Sequence, residues 1–338
     1  MKRLILLGIM AGICMGCHQI RDRRSLKLAH GLDTQHPVHL AMVKFAETCD
    51  EISNGKLKVD IYPSQQLGTE RETLELLQLG SIAITKVSAG VLENFAPSTQ
   101  VLGLPYVFKS RAHQYAVLDG PVGDSLLMAP VEYKMRGLCF FDAGFRSFYT
   151  KERPVNRPQD LDGLKIRVME SQTAKDMVNG LGGSATPMAW GELYSGLQQG
   201  IVDGAENNPP SFHSSGHYEI CKYYTLNEHT AVPDVLLMST IIWEQLNDQE
   251  QAWVNEAIDI ALAYQRIAWV EAEQEALEAV QAAGVEVIRP DKQPFMEELA
   301  DMFEKFQDRP DLYPTIQAIL ATPDPTQIPD STSNPSES

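Results

Sequence analysis

Apolar and polar positions in this 338-residue chain follow two alternating periods. Residues 26–30 (Leu-Lys-Leu-Ala-His) read as a strand. From Pro37 onward, Val38, Met42, Phe45, Cys49 and Ile52 recur three and four residues apart. That is the buried stripe of a helix opened by Pro37 and stopped by Asn54-Gly55. Residues 56–62 alternate again as a strand, residues 69–79 form a helix capped by Thr69, and residues 82–87 form a third strand. Strand and helix in turn predict a parallel α/β sheet. The pattern then restarts, with strands at 138–142, 147–151, 164–169, 184–188, 202–206 and 235–241 and helices at 173–179 and 192–199. Residues 249–283 are rich in Ala, Glu and Gln with almost no breaker, which predicts one long helix. A strand at 285–288 and two more helices follow. After residue 321 the chain turns to Pro, Ser, Asp and Thr without apolar periodicity, which predicts a disordered tail. Two α/β units joined by a long helix imply two lobes and a cleft, the kind of place where small ligands bind.

The first residues bear on the compartment. Lys2 and Arg3 precede an apolar run over residues 4–15, too short for a stable span but the length of a secretory h-region. Gly16-Cys17 resembles the end of a lipoprotein signal, with Cys17 as the acylated first residue; cleavage to a soluble form is the alternative. Either way the mature protein is expected outside the cytoplasm, in the periplasm, meeting the membrane only through an anchor or a partner. Loss of Lys2 and Arg3 takes the formal charge from −17 to −19, which argues against nucleic acid as a partner. In so acidic a chain an anion site must build its own positive potential, which makes the arginines informative. Cys49, Cys139 and Cys221 lie in no C-x-x-C pair and read as small buried hydrophobes.

The chemistry of an enzyme is hard to find. His213 and His217 have the spacing of a zinc helix but lack the glutamate after the first histidine and enclose a glycine. His36 and His39 lie near no carboxylate or cysteine cluster. The chain has no G-x-S-x-G elbow, no Walker loop and no dinucleotide G-x-G-x-x-G. No cofactor or metal is expected.

Three segments remain unexplained by packing: Phe-Phe-Asp-Ala-Gly-Phe-Arg-Ser-Phe-Tyr at 140–149, Asp-Leu-Asp-Gly-Leu-Lys-Ile-Arg-Val-Met at 160–169, and Leu-Gln-Gln-Gly-Ile-Val-Asp-Gly-Ala-Glu-Asn-Asn at 197–208. Thr-Pro-Met-Ala-Trp-Gly-Glu-Leu-Tyr (186–194) precedes the last. With Tyr-Pro-Ser-Gln-Gln-Leu-Gly (62–68) and Leu-Pro-Tyr-Val-Phe (104–108), they resemble, in order and spacing, the solute-binding proteins of TRAP (tripartite ATP-independent periplasmic) transporters. The resemblance runs from about residue 26 to 306. It implies a two-lobed, type II periplasmic-binding-protein fold with a hinge and a long connecting helix. One lobe would hold residues 24–143 and 234–272, the other 144–233 and 273–322, and 323–338 would be tail. It also implies that Arg167, in the K-I-R-V pattern, meets the substrate carboxylate, two parallel N–H donors matching two oxygens. Arg146 matches the family's second arginine, Asn207 its amide ligand, and Trp190 its aromatic wall. Glu70 matches a position that contacts hydroxyls. Lys86, Ser88 and Met169 complete the expected lining, and His36, in the first strand-to-helix loop, is placed to donate to a hydroxyl.

A dicarboxylate needs two cationic clamps and little else; a sugar acid needs one clamp and several hydroxyl partners. Glu70, His36, Ser88 and Asn207 supply mixed donors and acceptors, and Glu70 would repel a second carboxylate. The segments around His36 and Asn207 also look like the uronate-binding members. The expected ligand is therefore a hexuronate, D-glucuronate or D-galacturonate, and the expected partners are the transporter's membrane subunits. A C4-dicarboxylate or other organic-acid binder, a receptor-linked sensor and a secreted enzyme acting on acidic sugars are the competing readings.

Overall fold

The computed structural model describes residues 23–327; the leader with Cys17 and most of the expected tail lie outside them. Eleven strands form two sheets. The first contains β1 (Arg24–Ala29), β2 (Leu57–Tyr62), β3 (Ile84–Ser88), β4 (Met135–Phe141) and β10 (Asp234–Ser239), in the order β2-β1-β3-β10-β4. The second contains β5 (Arg146–Thr150), β6 (Lys165–Val168), β7 (Ser184–Pro187), β8 (Gly204–Asn207), β9 (Tyr223–Thr230) and β11 (Glu286–Ile288), in the order β11-β9-β5-β8-β6-β7. Both sheets are parallel except for one reversed strand each, β10 in the first and β5 in the second. The sheets are thus mixed rather than wholly parallel. The reversed strands are the ones the chain enters directly after crossing between lobes, at residues 142–145 and 231–233, with no crossover helix to turn it round.

The third crossing is the helix Asp248–Ala282, 35 residues and so about 50 Å long. Asn247 and Glu250 close its start in a reciprocal capping box. Val254, Ala257, Ile258, Ala261 and Trp269 are buried in the first lobe's core with the Pro37–Ile52 helix, while Val280 is buried in the second lobe's core with Tyr149, Phe212 and Tyr224. One rigid rod therefore belongs to both cores.

The first crossing is pinned. Asp142 accepts from the backbone N–H of Gly144 at 2.7 Å and from Tyr115 Oη at 2.5 Å, and its carboxylate faces Arg111 Nε at 3.1 Å. Gln265 on the long helix bonds both backbone groups of Asp142. Gly144 has φ +58°, and a Cβ there would lie 2.9 Å from Glu273 Oε1 and 3.0 Å from Trp269 Nε1. Only glycine fits this turn, which delivers Arg146 to the first position of β5.

Three expectations need correction. β9 was not foreseen, because its buried positions include Thr225, Asn227, His229 and Thr230, which break the apolar alternation. Three helices, not two, follow β11: Gln293–Glu298, Ala300–Gln307 and Tyr313–Ala321. The last does not stay with the second lobe, as the 273–322 boundary required. Leu312, Ile316 and Ile319 are buried with Val117, Leu118 and Leu126 of the first lobe, and His113 Nε2 lies 3.1 Å from the Ile319 carbonyl. Residues 323–327 follow it, Ser110 Oγ donating to Asp324 Oδ1 at 2.9 Å. The C-terminal segment through residue 327 is a strap on the first lobe, so residues 323–327 are not the tail their composition suggests. Cys49, Cys139 and Cys221 are free and buried.

Ile319 is fully buried. Ile319→Ala is expected to lower stability by about 2–5 kcal/mol, read as a shifted urea-unfolding midpoint. A loss below about 0.5 kcal/mol, typical of a surface site, would show that the strap is not part of the cooperative unit.

Candidate functional site

Arg167 lies on β6 between Ile166 and Val168, both fully buried, and its own side chain is carried into the interior of the cleft. Nε and Nη2 donate to the Met188 carbonyl at 2.9 and 2.7 Å, and the guanidinium carbon sits 5.8 Å from the centre of the Trp190 ring. Among the described residues no carboxylate lies within ion-pairing distance of it. Burial lowers its pKa, yet a guanidinium stays protonated, so the cleft holds one buried cation without a counter-charge.

Arg146 is the opposite case. Nε meets Glu206 Oε2 at 2.5 Å, Nη2 meets Glu206 Oε1 and the Glu206 carbonyl at 2.8 Å, and Nη1 donates to Asn207 Oδ1 at 2.7 Å. Burial pushes the Glu206 carboxyl up, but the charge of Arg146 and bonds from His229 and Arg146 outweigh it and hold it at about 2. This pair is an internal ion pair that fixes geometry. Asn207 Oδ1 also accepts from the Asn208 backbone N–H at 2.9 Å. With its oxygen so used, the Asn207 amide offers its NH₂ to the cavity, as a donor only.

The opposite wall comes from the first sheet. Lys86 is buried on β3 and donates to Glu70 Oε1 and Asp234 Oδ1, both at 3.1 Å. Glu70, in the first turn of the helix Glu70–Gln78, also accepts from the Ser88 backbone N–H at 3.1 Å. Ser88 Oγ donates to Met169 Sδ at 3.3 Å, bridging the walls. Further bridges run from Ser171 Oγ, Thr173 N and Thr173 Oγ1 to the Glu93 carboxylate at 2.8–3.0 Å, and from Ser214 Oγ to Asp33 Oδ2 at 2.7 Å. The lobes are closed on each other.

Between them lies a cleft with about 520 Å³ of empty space, part of it open to solvent, lined by Arg146, Arg167, Met169, Trp190, Asn207, Glu70, Lys86 and Ser88, eight of the nine residues singled out from sequence. The ninth, His36, does not line it. Its Nδ1 accepts from the Val38 N–H and its Nε2 faces Ser211 Oγ at 3.1 Å, so both ring nitrogens are engaged as a helix cap and a lobe-to-lobe bond. Asp234, Asn208 and Ser211 are lining residues that sequence reasoning passed over. Asp234 left a signal, an acid directly after Pro233 at the head of an apolar strand. The arrangement can seat one carboxylate against Arg167 and hydroxyls against the amide and carboxylates around it.

The model of the bacterial extracellular solute-binding proteins, family 7, matches residues 28–309. The chain is 38% identical over 319 residues to the uncharacterised protein YiiZ of Salmonella typhimurium, covering 94% of this chain and 96% of that one. Among solved structures, a TRAP periplasmic solute-binding protein of Xanthobacter autotrophicus with bound β-D-galacturonate matches with a TM-score of 0.85 at 37% identity, over 88% of this chain and 100% of the other. One from Anaerococcus prevotii with bound α/β-D-glucuronate matches with a TM-score of 0.86 at 37% identity, over 88% and 97%.

Histidines packed around the cleft carry a pH dependence. Burial, despite the carboxylates of Asp234 and Asp33, pulls the His36 pKa to about 4; burial and then the charge of Arg167 pull that of His217 to about 3. In the unfolded chain both titrate near 6.5. Below 6.5 the unfolded chain therefore binds more protons than the folded one, and stability falls as pH drops toward 4. Thermal unfolding is expected to be flat from pH 7 to 8 and to lose midpoint steadily below about 6.5, with a shallower slope in His217→Phe. Equal slopes in the two proteins would remove His217 from the account.

Proposed function

This chain belongs to family 7 of the bacterial extracellular solute-binding proteins, the solute-binding subunits of TRAP transporters, and we propose that its cleft captures a hexuronate, D-galacturonate or D-glucuronate, through Arg167. Members of this family carry solutes to membrane subunits rather than transform them. Among the described residues no helix is long and apolar enough to cross a membrane, which suits a periplasmic carrier; export through the leader, with acylation of Cys17, would hold it at the membrane surface.

The observation that carries the ligand reading is the lone cation. One buried guanidinium without a counter-charge calls for one anionic group, and its free Nη1 and the remaining Nη2 hydrogen are the donors left for it. The uronate head group would take these donors. The Asn207 NH₂ and the unused Nη1 hydrogen of Arg146 would meet ring or hydroxyl oxygens, and the Trp190 face would cover an apolar side of the sugar. The relatives crystallised with galacturonate and glucuronate support the same class.

In this reading the second lobe, built on β5 to β9 and β11, holds the carboxylate first. The first lobe then closes, bringing Glu70, Lys86 and Ser88. Such closure is driven only by contacts that exist in the closed state. The Ser88–Met169 and Glu93–Thr173 bonds are of that kind, and a ligand bridging both walls adds to them. The membrane subunits then receive the closed form.

Arg167→Lys keeps the charge and loses the fork. It is expected to weaken galacturonate binding by about 2–5 kcal/mol, at least roughly 30-fold, in isothermal titration calorimetry. Affinity within about twofold of the parent protein would take the carboxylate away from residue 167.

A further inference from the structure

The two walls of the cavity carry opposite net charge. On the second-lobe wall, Arg146 is neutralised by Glu206 and Arg167 stands alone, leaving one positive charge. On the first-lobe wall, a single ammonium, Lys86, serves two carboxylates, Glu70 and Asp234, leaving one negative charge. Each acid touches Lys86 with one oxygen, Glu70 Oε1 and Asp234 Oδ1. Among the described residues, Glu70 Oε2 and Asp234 Oδ2 have no hydrogen-bond partner, and both side chains line the cavity. The register places Asp234 opposite Ser88 on one side and Phe141 on the other, at the start of an inner strand of the first sheet and at the mouth of the second crossing. Its backbone is held there by pairing on both sides.

We propose that Asp234, together with Glu70, is the specificity filter of this cleft: the pair accepts hydroxyl hydrogens from a polyhydroxy monoacid and rejects any ligand carrying a second carboxylate. This rests on the hexuronate reading and sharpens it to a charge rule, one negative charge and no more. A monoacid places its only charge on Arg167 and turns hydroxyls toward two carboxylate oxygens that lack donors. A diacid of similar length brings its second carboxylate against a wall that is already negative. The single lysine does not relieve this: one positive charge is shared between two carboxylates, and the wall stays net negative whatever its third N–H donates to.

Calorimetry with D-galacturonate and galactarate, the second of which carries a carboxylate at each end, tests the rule in the parent protein, Asp234→Asn and Glu70→Gln. The parent is expected to prefer galacturonate by roughly 100-fold or more. Each variant removes one negative charge from a different element of the fold. Each is expected to bind galacturonate more weakly and galactarate more tightly, narrowing the ratio by about tenfold or more. Comparing one ratio across three proteins cancels the difference in shape between the ring and the open chain. Near-equal affinity of the parent for both acids overturns the filter, as does a parallel loss of both in the variants, which marks Asp234 and Glu70 as structural. If the parent binds neither galacturonate nor glucuronate, the hexuronate reading beneath the filter is what fails. Should one variant unfold, the parent ratio and the other variant still decide.

Discussion

A guanidinium enclosed by protein and left without a counter-charge is an expensive feature, worth several kcal/mol of lost hydration. Arg167 is such a group. The protein gives it one carbonyl, that of Met188, and the flank of Trp190. These contacts fix its direction but leave its charge unanswered. Its neighbour Arg146 shows that the fold can neutralise a buried arginine when geometry is all that is wanted, since Glu206 closes on it from two sides. The contrast between two arginines on strands of one sheet, with only β8 between them, is the central asymmetry of the molecule. In the proposed reading the missing anion is supplied from outside.

The rest of the architecture serves to bring the other wall against that cation. Because the chain crosses between lobes at 142–145 and 231–233, the strands flanking these crossings, β4, β5, β9 and β10, place Arg146, Thr230 and Asp234 at the cleft by covalent geometry alone. Asp142 locks the first crossing through Gly144, Tyr115, Arg111 and Gln265. The long helix ties both cores to one rod, and the C-terminal strap thickens the first lobe. Polar contacts across the closed cleft, such as Glu93 with Ser171 and Thr173, are individually modest and can exchange with water when it opens.

Sequence made the binding wall legible because its residues stand in short motifs set by backbone needs. Gly144 is required by a left-handed turn, Arg167 sits between Ile166 and Val168 on a short strand, and Asn207 ends a strand before a proline-led helix. It failed where function overrode pattern. β9 buries Asn227 and His229 to brace Glu206, so its alternation looked like a loop. From its position in a loop His36 is expected to donate to a ligand hydroxyl, whereas Ser211 of the neighbouring lobe takes its ring. Asp234 was hidden because its part depends on sharing Lys86 with Glu70, 164 positions earlier in numbering, and such three-body pairing has no local signature. The strap escaped notice because proline-rich composition speaks about flexibility, not about which surface covers the chain.

The same charge pattern suits the carrier role proposed for the cleft. General acid–base chemistry needs a group whose protonation is poised near the working pH and free to move a proton. Four of the titratable groups around the cleft are committed. Glu206 is held ionised by Arg146, with its carboxyl at about 2. Lys86, pushed down by burial but raised further by Asp234 and Glu70, stays an ammonium. His217 and His36 are held neutral, at about 3 and 4, with their rings bonded to Tyr149 and Ser211. A wall of fixed charges offers a ligand recognition without a proton to give or take. In the proposed reading what changes is whether the lobes are together, and the cleft selects its cargo by sign and hydroxyl pattern and releases it unaltered when the walls part.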